Sequence, residues 1–313
     1  MRSLKELPYS MNAIPQVYHY YTFGFGILKA CNKNLYEKYL CEEIQNIFYG
    51  QNLQIYMNNI FNWNIFKFEF LDKSSYEVSI KLSIDKGKYV HLDSIDYFFI
   101  PNRKATMKGH YFHDLLIIGY DEEDFICVGY NYNNIFAKQY INKSCIGNSL
   151  NSNTQIRSIY CRETAVGFID HSRVINSLRS YCYSYKPDTL FQCFTEANDF
   201  KTWVYGIEAL SKGIDALADS NDLFFYHNIQ LGIEIREINK IKFLHLISDS
   251  YHMDIIREYE NLIEINKGIK RMIIKKNIMK DMNFINERKK MEFILDEEIK
   301  IIRNILKICN VES

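Results

Sequence analysis

The stretch DKGKYVHLDSIDYFFIPNRKATMKGHYFHDLLIIGYDEEDFICVGYN, residues 85–131, decides the fold. Within it, YVHLDSIDYFFI (89–100), LLIIGY (115–120) and FICVGY (125–130) are short apolar runs rich in aromatic and β-branched residues, and they read as strands. DEED (121–124) is a charged four-residue connection between the last two runs and suits a hairpin. His110 and His113 stand just before the LLIIGY run. A histidine at the mouth of a buried strand is fixed by packing and open to a cleft, which suits a general base. On a strand, their three-residue spacing sets the two histidines on opposite faces, so a shared metal would need a turn there; no metal site is expected.

Working outward, IFKFEF (65–70) alternates apolar and polar residues, and the whole of 63–170 reads as strand-rich. Residues 1–62 read as helical, because Ile27, Leu28, Cys31, Leu35, Tyr39, Leu40, Ile44 and Ile47 recur at three- and four-residue steps. From about residue 171 the pattern turns helical again. Lys186-Pro187-Asp188 breaks it once. Trp203, Ile207, Leu210, Ile214 and Leu217 then follow a helical period, and the tail 254–309 carries Ile294, Ile301, Ile305 and Ile308 inside with Glu297, Glu298, Lys300 and Arg303 outside. The expected architecture is α+β: a first domain over 1–170 and a mainly helical domain over 171–313. The helical tail suits either packing on the first domain or homodimerisation, and the sequence leaves both open.

Composition narrows the function classes. The 313 residues carry 38 Lys+Arg and 38 Asp+Glu, so the net charge is zero, which argues against binding nucleic acid by phosphate neutralisation. The amino terminus lacks the charged flank and apolar run of a secretory signal. No stretch reaches about 18 uninterrupted apolar residues, so no membrane span is expected. The eight cysteines are scattered without a CxxC pair, which fits a cytoplasmic chain with free thiols. There is no GxxxxGK[ST], HExxH or GxSxG, and Gly24-Phe25-Gly26 is followed by Lys29 where the dinucleotide fingerprint needs glycine. No cofactor is expected.

Two blocks of the central stretch resemble the papain-like amino-terminal domain of butirosin biosynthesis protein H and its relatives, within the bacterial leader-peptidase branch of papain-like proteins. Gly87, Tyr89, Val90, Asp96, Tyr97, Phe98, Ile100 and Pro101 match the first block; His113, Leu115, Leu116, Ile117, Gly119, Tyr120 and Asp121 match the second. The resemblance implies a papain-like cysteine-peptidase-type fold and the chain order Cys, His, then Asn or Asp. It sets His113 in the base position. Tyr130 and Asn131 follow the next strand as candidates for the orienting group, and Asn131 is preferred because its amide oxygen accepts from an imidazole. The nucleophile's place falls at residues 19–21, which hold His19, Tyr20 and Tyr21. Cys31 lies about 15 Å further along a helix, and Cys41 further still.

The implied substrate class is an acyl group on a carrier-protein thioester, with an acyl or peptidyl carrier protein as partner and an amine or peptide as acceptor. His19, Tyr20, Tyr21, Asp96 and Tyr97 would contact substrate. With the cysteine missing, the alternative is a pseudoenzyme: a binding module that holds a peptide, carrier protein or apolar metabolite in the inherited cleft.

Overall fold

The computed structural model describes residues 4–16, 19–49, 52–56, 65–101, 109–131, 136–161, 168–185, 204–215, 224–247, 252–280 and 283–309. The protein is α+β, and it divides into two units. One comprises 1–33 and 59–166; the other comprises 34–58 and 167–313.

The first unit is built on an antiparallel sheet. Its strands are β1 (Lys5–Glu6), β4 (Phe66–Phe70), β5 (Tyr89–Asp96), β6 (Phe112–Tyr120), β7 (Asp124–Tyr130), β8 (Phe136–Asn142) and β9 (Gln155–Cys161), with α1 (His19–Cys31), α3 (Tyr76–Asp85) and α4 (Lys143–Ser149) against it. The strand order is β4-β9-β5-β6-β7-β8, and β1 pairs with the last two residues of β6. Leu92, Leu115, Leu116, Ile117, Phe125, Ile126 and Val128 are fully buried in its centre. The β6–β7 hairpin is the one expected around DEED: Tyr120 lies opposite Phe125. Asp121 closes this turn by accepting from the backbone N–H of Glu123 at 3.0 Å and of Asp124 at 2.8 Å. Gly119 allows β1 to pass, since a Cβ there would sit 2.3 Å from the carbonyl oxygen of Lys5.

The second unit holds α2 (Lys33–Glu43), β2 (Gln45–Tyr49), β3 (Asn52–Tyr56), α5 (His171–Tyr183), β10 (Val204–Tyr205), α6 (Gly206–Asp215), α7 (Phe224–Leu246), α8 (Met253–Ile278) and α9 (Ile285–Ile308). Residues 45–49 and 52–56 correct the helical reading of 1–62. They form the hairpin β2–β3, extended by β10 to three strands. Ile47-Phe48-Tyr49 is a short β-branched and aromatic run, Asn52–Tyr56 alternates polar and apolar, and Gly50 stands between them, a pattern that strand pairing exploits better than a helix does. Pro187, Trp203 and Leu217 lie outside the described residues.

α7 is buried on nearly every side, with Ile229, Leu231, Ile233, Ile235, Ile238 and Phe243 in the core. Glu298 of α9 is also buried; it accepts from Arg236 Nε at 2.9 Å and from the hydroxyls of Tyr181 at 2.8 Å and Tyr259 at 2.5 Å. Among the described residues no helix is long and apolar enough to cross a membrane.

Candidate active site

The site lies where β5 ends and β6 begins. β5 carries one extra residue against β6: Leu92 faces Leu115, but Ile95 faces His113. Ser94, at φ 57°, takes up the bulge. Such a bulge turns the residues after it relative to the sheet, and here those are Ile95 and Asp96. Asp96 then caps the 3-10 turn Tyr97–Phe99 by accepting from the N–H of Phe98 at 3.0 Å. Its other oxygen lies 2.5 Å from Nδ1 of His110.

This pair is asymmetric: the Asp96 side chain is 7% exposed and that of His110 is 64% exposed. Burial pushes the Asp96 carboxyl up, but the hydrogen bond from His110 and those from the backbone outweigh it and hold the group below its ordinary value. The carboxylate therefore accepts Nδ1–H, and the basic lone pair of the neutral ring lies on Nε2. Phe98 lies near that ring at 5.1 Å between centroids and is 61% exposed, and Phe112, which pairs with Asp96, is also exposed.

His113 is the second residue of β6 and is half-buried. Its Nδ1 accepts from the N–H of Asp114 at 2.8 Å, so the neutral ring carries its proton on Nε2. The ring meets Tyr97 edge-on at 6.0 Å and Tyr111 at 5.7 Å. Tyr97 is buried and donates its hydroxyl to the carbonyl of Asp114 at 2.6 Å. The β6–β7 pairing ends at Leu116 opposite Val128, and Asn131 directly follows β7. Tyr130 donates to the carbonyl of Gln16 at 3.2 Å.

Neighbouring strand residues point to opposite faces. Asp114 thus faces away from His113, toward α1. There its carboxylate lies 3.4 Å from Nε2 of the buried His91, on which Phe23 of α1 packs edge-on at 5.9 Å. Burial raises the Asp114 carboxyl, but the His91 hydrogen bond and nearby positive charge more than offset this and lower it.

The backbone of His19, Tyr20 and Tyr21 forms the first turn of α1; their side chains lie outside the described residues. Cys31 closes that helix, about 18 Å from its start at the helical rise. Its Sγ lies 3.7 Å from the hydroxyl of Tyr89. Cys41 is buried in the other unit, with its thiol pushed up to about 12, chiefly by burial. Neither thiol stands at the amino end of α1, where backbone N–H groups would support a thiolate.

The structure thus sets Asp96 and Tyr97 at the end of β5 and His113 near the start of β6, while Asn131 follows the end of β7, beyond the last β6–β7 pair at Leu116 and Val128. It also gives a carboxylate to His110, which sequence reasoning had not paired. The signal was present: in a β5–β6 antiparallel pair, the Asp ending one strand meets the residues that open the next. Among the described residues no group of three or more His, Cys, Asp or Glu side chains is arranged to hold a metal. No family model matches the chain, and no curated protein matches it.

Proposed function

We propose that the sheet-based unit is a papain-like domain that works without a cysteine nucleophile, forming amides from a carrier-bound acyl thioester by general-base catalysis. The observation that carries this reading is the Asp96–His110 pair: a buried carboxylate fixing the tautomer of an exposed imidazole. The resemblance supplies the substrate class and the carrier-protein partner.

In this reaction His110 Nε2 takes a proton from the acceptor amine as its nitrogen attacks the thioester carbonyl. The C–N bond forms, the C–S bond breaks, and the imidazolium returns the proton to the leaving thiolate. Asp96 stabilises the imidazolium, as the carboxylate of a catalytic triad does. His113 keeps the place that the resemblance gives the base, but as an Nε2–H donor it serves the carbonyl oxygen. Phe98 and Phe112 supply apolar surface for the acyl chain. Those same exposed rings favour a second reading, a binding module for an apolar ligand.

Acyl-pantetheine thioesters offered with primary amines, with the amide followed by mass spectrometry, test both. Turnover by the wild type is expected, with a loss of about 100-fold or more in His110→Ala. Asp96→Asn should lower kcat and reshape its pH profile. Equal turnover by His110→Ala removes the base we assign. Calorimetric binding of the thioester with no amide from any pair selects the binding module.

A further inference from the structure

The chain's zero net charge hides a local excess. Residues 265–290 hold nine Lys or Arg against two Asp or Glu. They span the end of α8 and the start of α9. Lys267, Lys276 and Arg288 are ion-paired, with Glu237 and Glu264, with Glu287, and with Asp215 and Glu292 respectively. The cations nearest the tip that keep an exposed charge are Lys275, Lys280, Lys289 and Lys290. The buried stripe of α8, which includes Tyr259, Ile263, Asn266 and Ile269, ends at Ile273; on α9 burial resumes at Glu287 and Met291. Between these limits every described residue is exposed or half-buried. Yet that tip is not polar: Ile278 is 78% exposed, Met279 66% and Ile285 61%. Lys275 and Lys280 flank Ile278 and Met279 in the sequence, Lys289 lies one turn after Ile285 and Lys290 follows it, and all four lysines are exposed.

We infer that this hairpin tip docks on an anionic lipid surface. Neither half of the feature explains itself alone. A tip that served only solubility would not display three large apolar side chains, and a phosphate-binding patch for nucleic acid has no use for them. An acidic helical partner would need a groove to seat on, whereas the exposed apolar residues here sit at the ends of two helices. Ile274–Ile278 carries the helix about 7–8 Å beyond the last buried position, within the depth of about 5–10 Å to which apolar side chains enter the headgroup region. Lysines at that level meet the phosphates and serines of the leaflet, and each adds to the attraction. The ion pair of Lys276 with Glu287, at 2.8 Å, ties the two helices together just behind the tip, so both present it as one element.

Co-sedimentation of the full chain with vesicles tests this. The probe is phosphatidylcholine with about 30 mol% phosphatidylserine, against phosphatidylcholine alone. The wild type should pellet with the anionic vesicles only and be released by raised salt. Ile278→Glu with Met279→Glu should weaken binding about tenfold, and so should Lys275→Glu with Lys280→Glu. All four positions are exposed, and unchanged circular dichroism confirms folding of each variant. A wild type that stays in solution with both vesicles overturns the inference. So does undiminished vesicle binding by the Ile278/Met279 variant. If the lysine variant loses only retention on a soluble polyanion such as heparin, the patch belongs to an acidic soluble partner instead.

Discussion

Lys242 of α7 shows how one residue can set a pH dependence far from the candidate site. It is 2% exposed, and its Nζ donates to the hydroxyl of Ser177 at 2.7 Å and to the carbonyl of Ile44 at 3.4 Å. Neither partner carries a charge, so burial lowers the ammonium from 10.5 to about 8. The sign follows from proton counting. Between about pH 8 and 10.5 the unfolded chain holds a proton on this group that the folded chain has released, so stability rises with pH across that window. Relative to Lys242→Met, the wild type should gain about 3 kcal/mol over that range. Denaturant titrations of both proteins at stepped pH check this, and parallel stability curves would refute it. A lysine inside an apolar helix was plain in the sequence, but its depth was not, because α7 is covered on faces that a single period does not reveal. The same limit held at the site. Two histidines before a strand were legible, while their tautomers were not, since these depend on Asp96 and on a backbone N–H that only the folded register supplies.

At the scale of elements, periodicity marked most of the framework. β5, β6 and β7 fall where apolar runs stood, and α8 and α9 where the Ile/Leu spacing ran. It failed at 45–56, where a helical count ran through two short strands. Both patterns share Ile44 and Ile47, and only the Ile47–Tyr49 run, Gly50 and the alternation of 52–56 separate them. The sequence also could not show which charged residues on the long helices turn inward. Glu297 and Glu298 are adjacent and the Ile spacing sets both outside, yet Glu298 is buried, in contact with Arg236, Tyr181 and Tyr259. This cluster joins α5, α7, α8 and α9 through one carboxylate. Removing one charge strands the other in a dry interior, whereas removing both with apolar residues is far less costly. Glu298→Leu should therefore lose about 3–5 kcal/mol in urea titrations. Adding Arg236→Met to it should recover much of that loss. If the double variant is as unstable as the sum of the singles, the pair has no coupling and the cluster is not what holds these helices.

The whole molecule is organised by long-range pairing that chain order conceals. Residues 34–58 separate two stretches of the sheet-based unit, yet they belong with 167–313. Several bonds make this assignment. β2 pairs with β10, Ile47 opposite Tyr205 and Phe48 opposite Val204. The N–H of Leu53 donates to the Asn228 side chain at 3.0 Å, and buried Glu42 accepts from Arg173 at 3.1 Å and from the N–H of Asp170 at 2.7 Å. Leu35, Tyr39, Leu40, Ile44 and Leu53 are buried with them. None of this has a local signature, because a helix or strand reads alike whichever neighbour covers it. It has a consequence for any division of the chain at residue 170. A fragment of 171–313 would lack α2, β2 and β3; Asn228 and Arg173 would lose their partners, and the apolar surface those elements cover would meet water. Such a fragment should keep helical circular dichroism, bind a hydrophobic dye and melt without a cooperative transition. Mixed with a fragment of 1–170, it should regain a sharp transition, since the missing elements return in trans. Cooperative melting of 171–313 alone, near the temperature of the intact chain, would show that the helices close their core without residues 34–58.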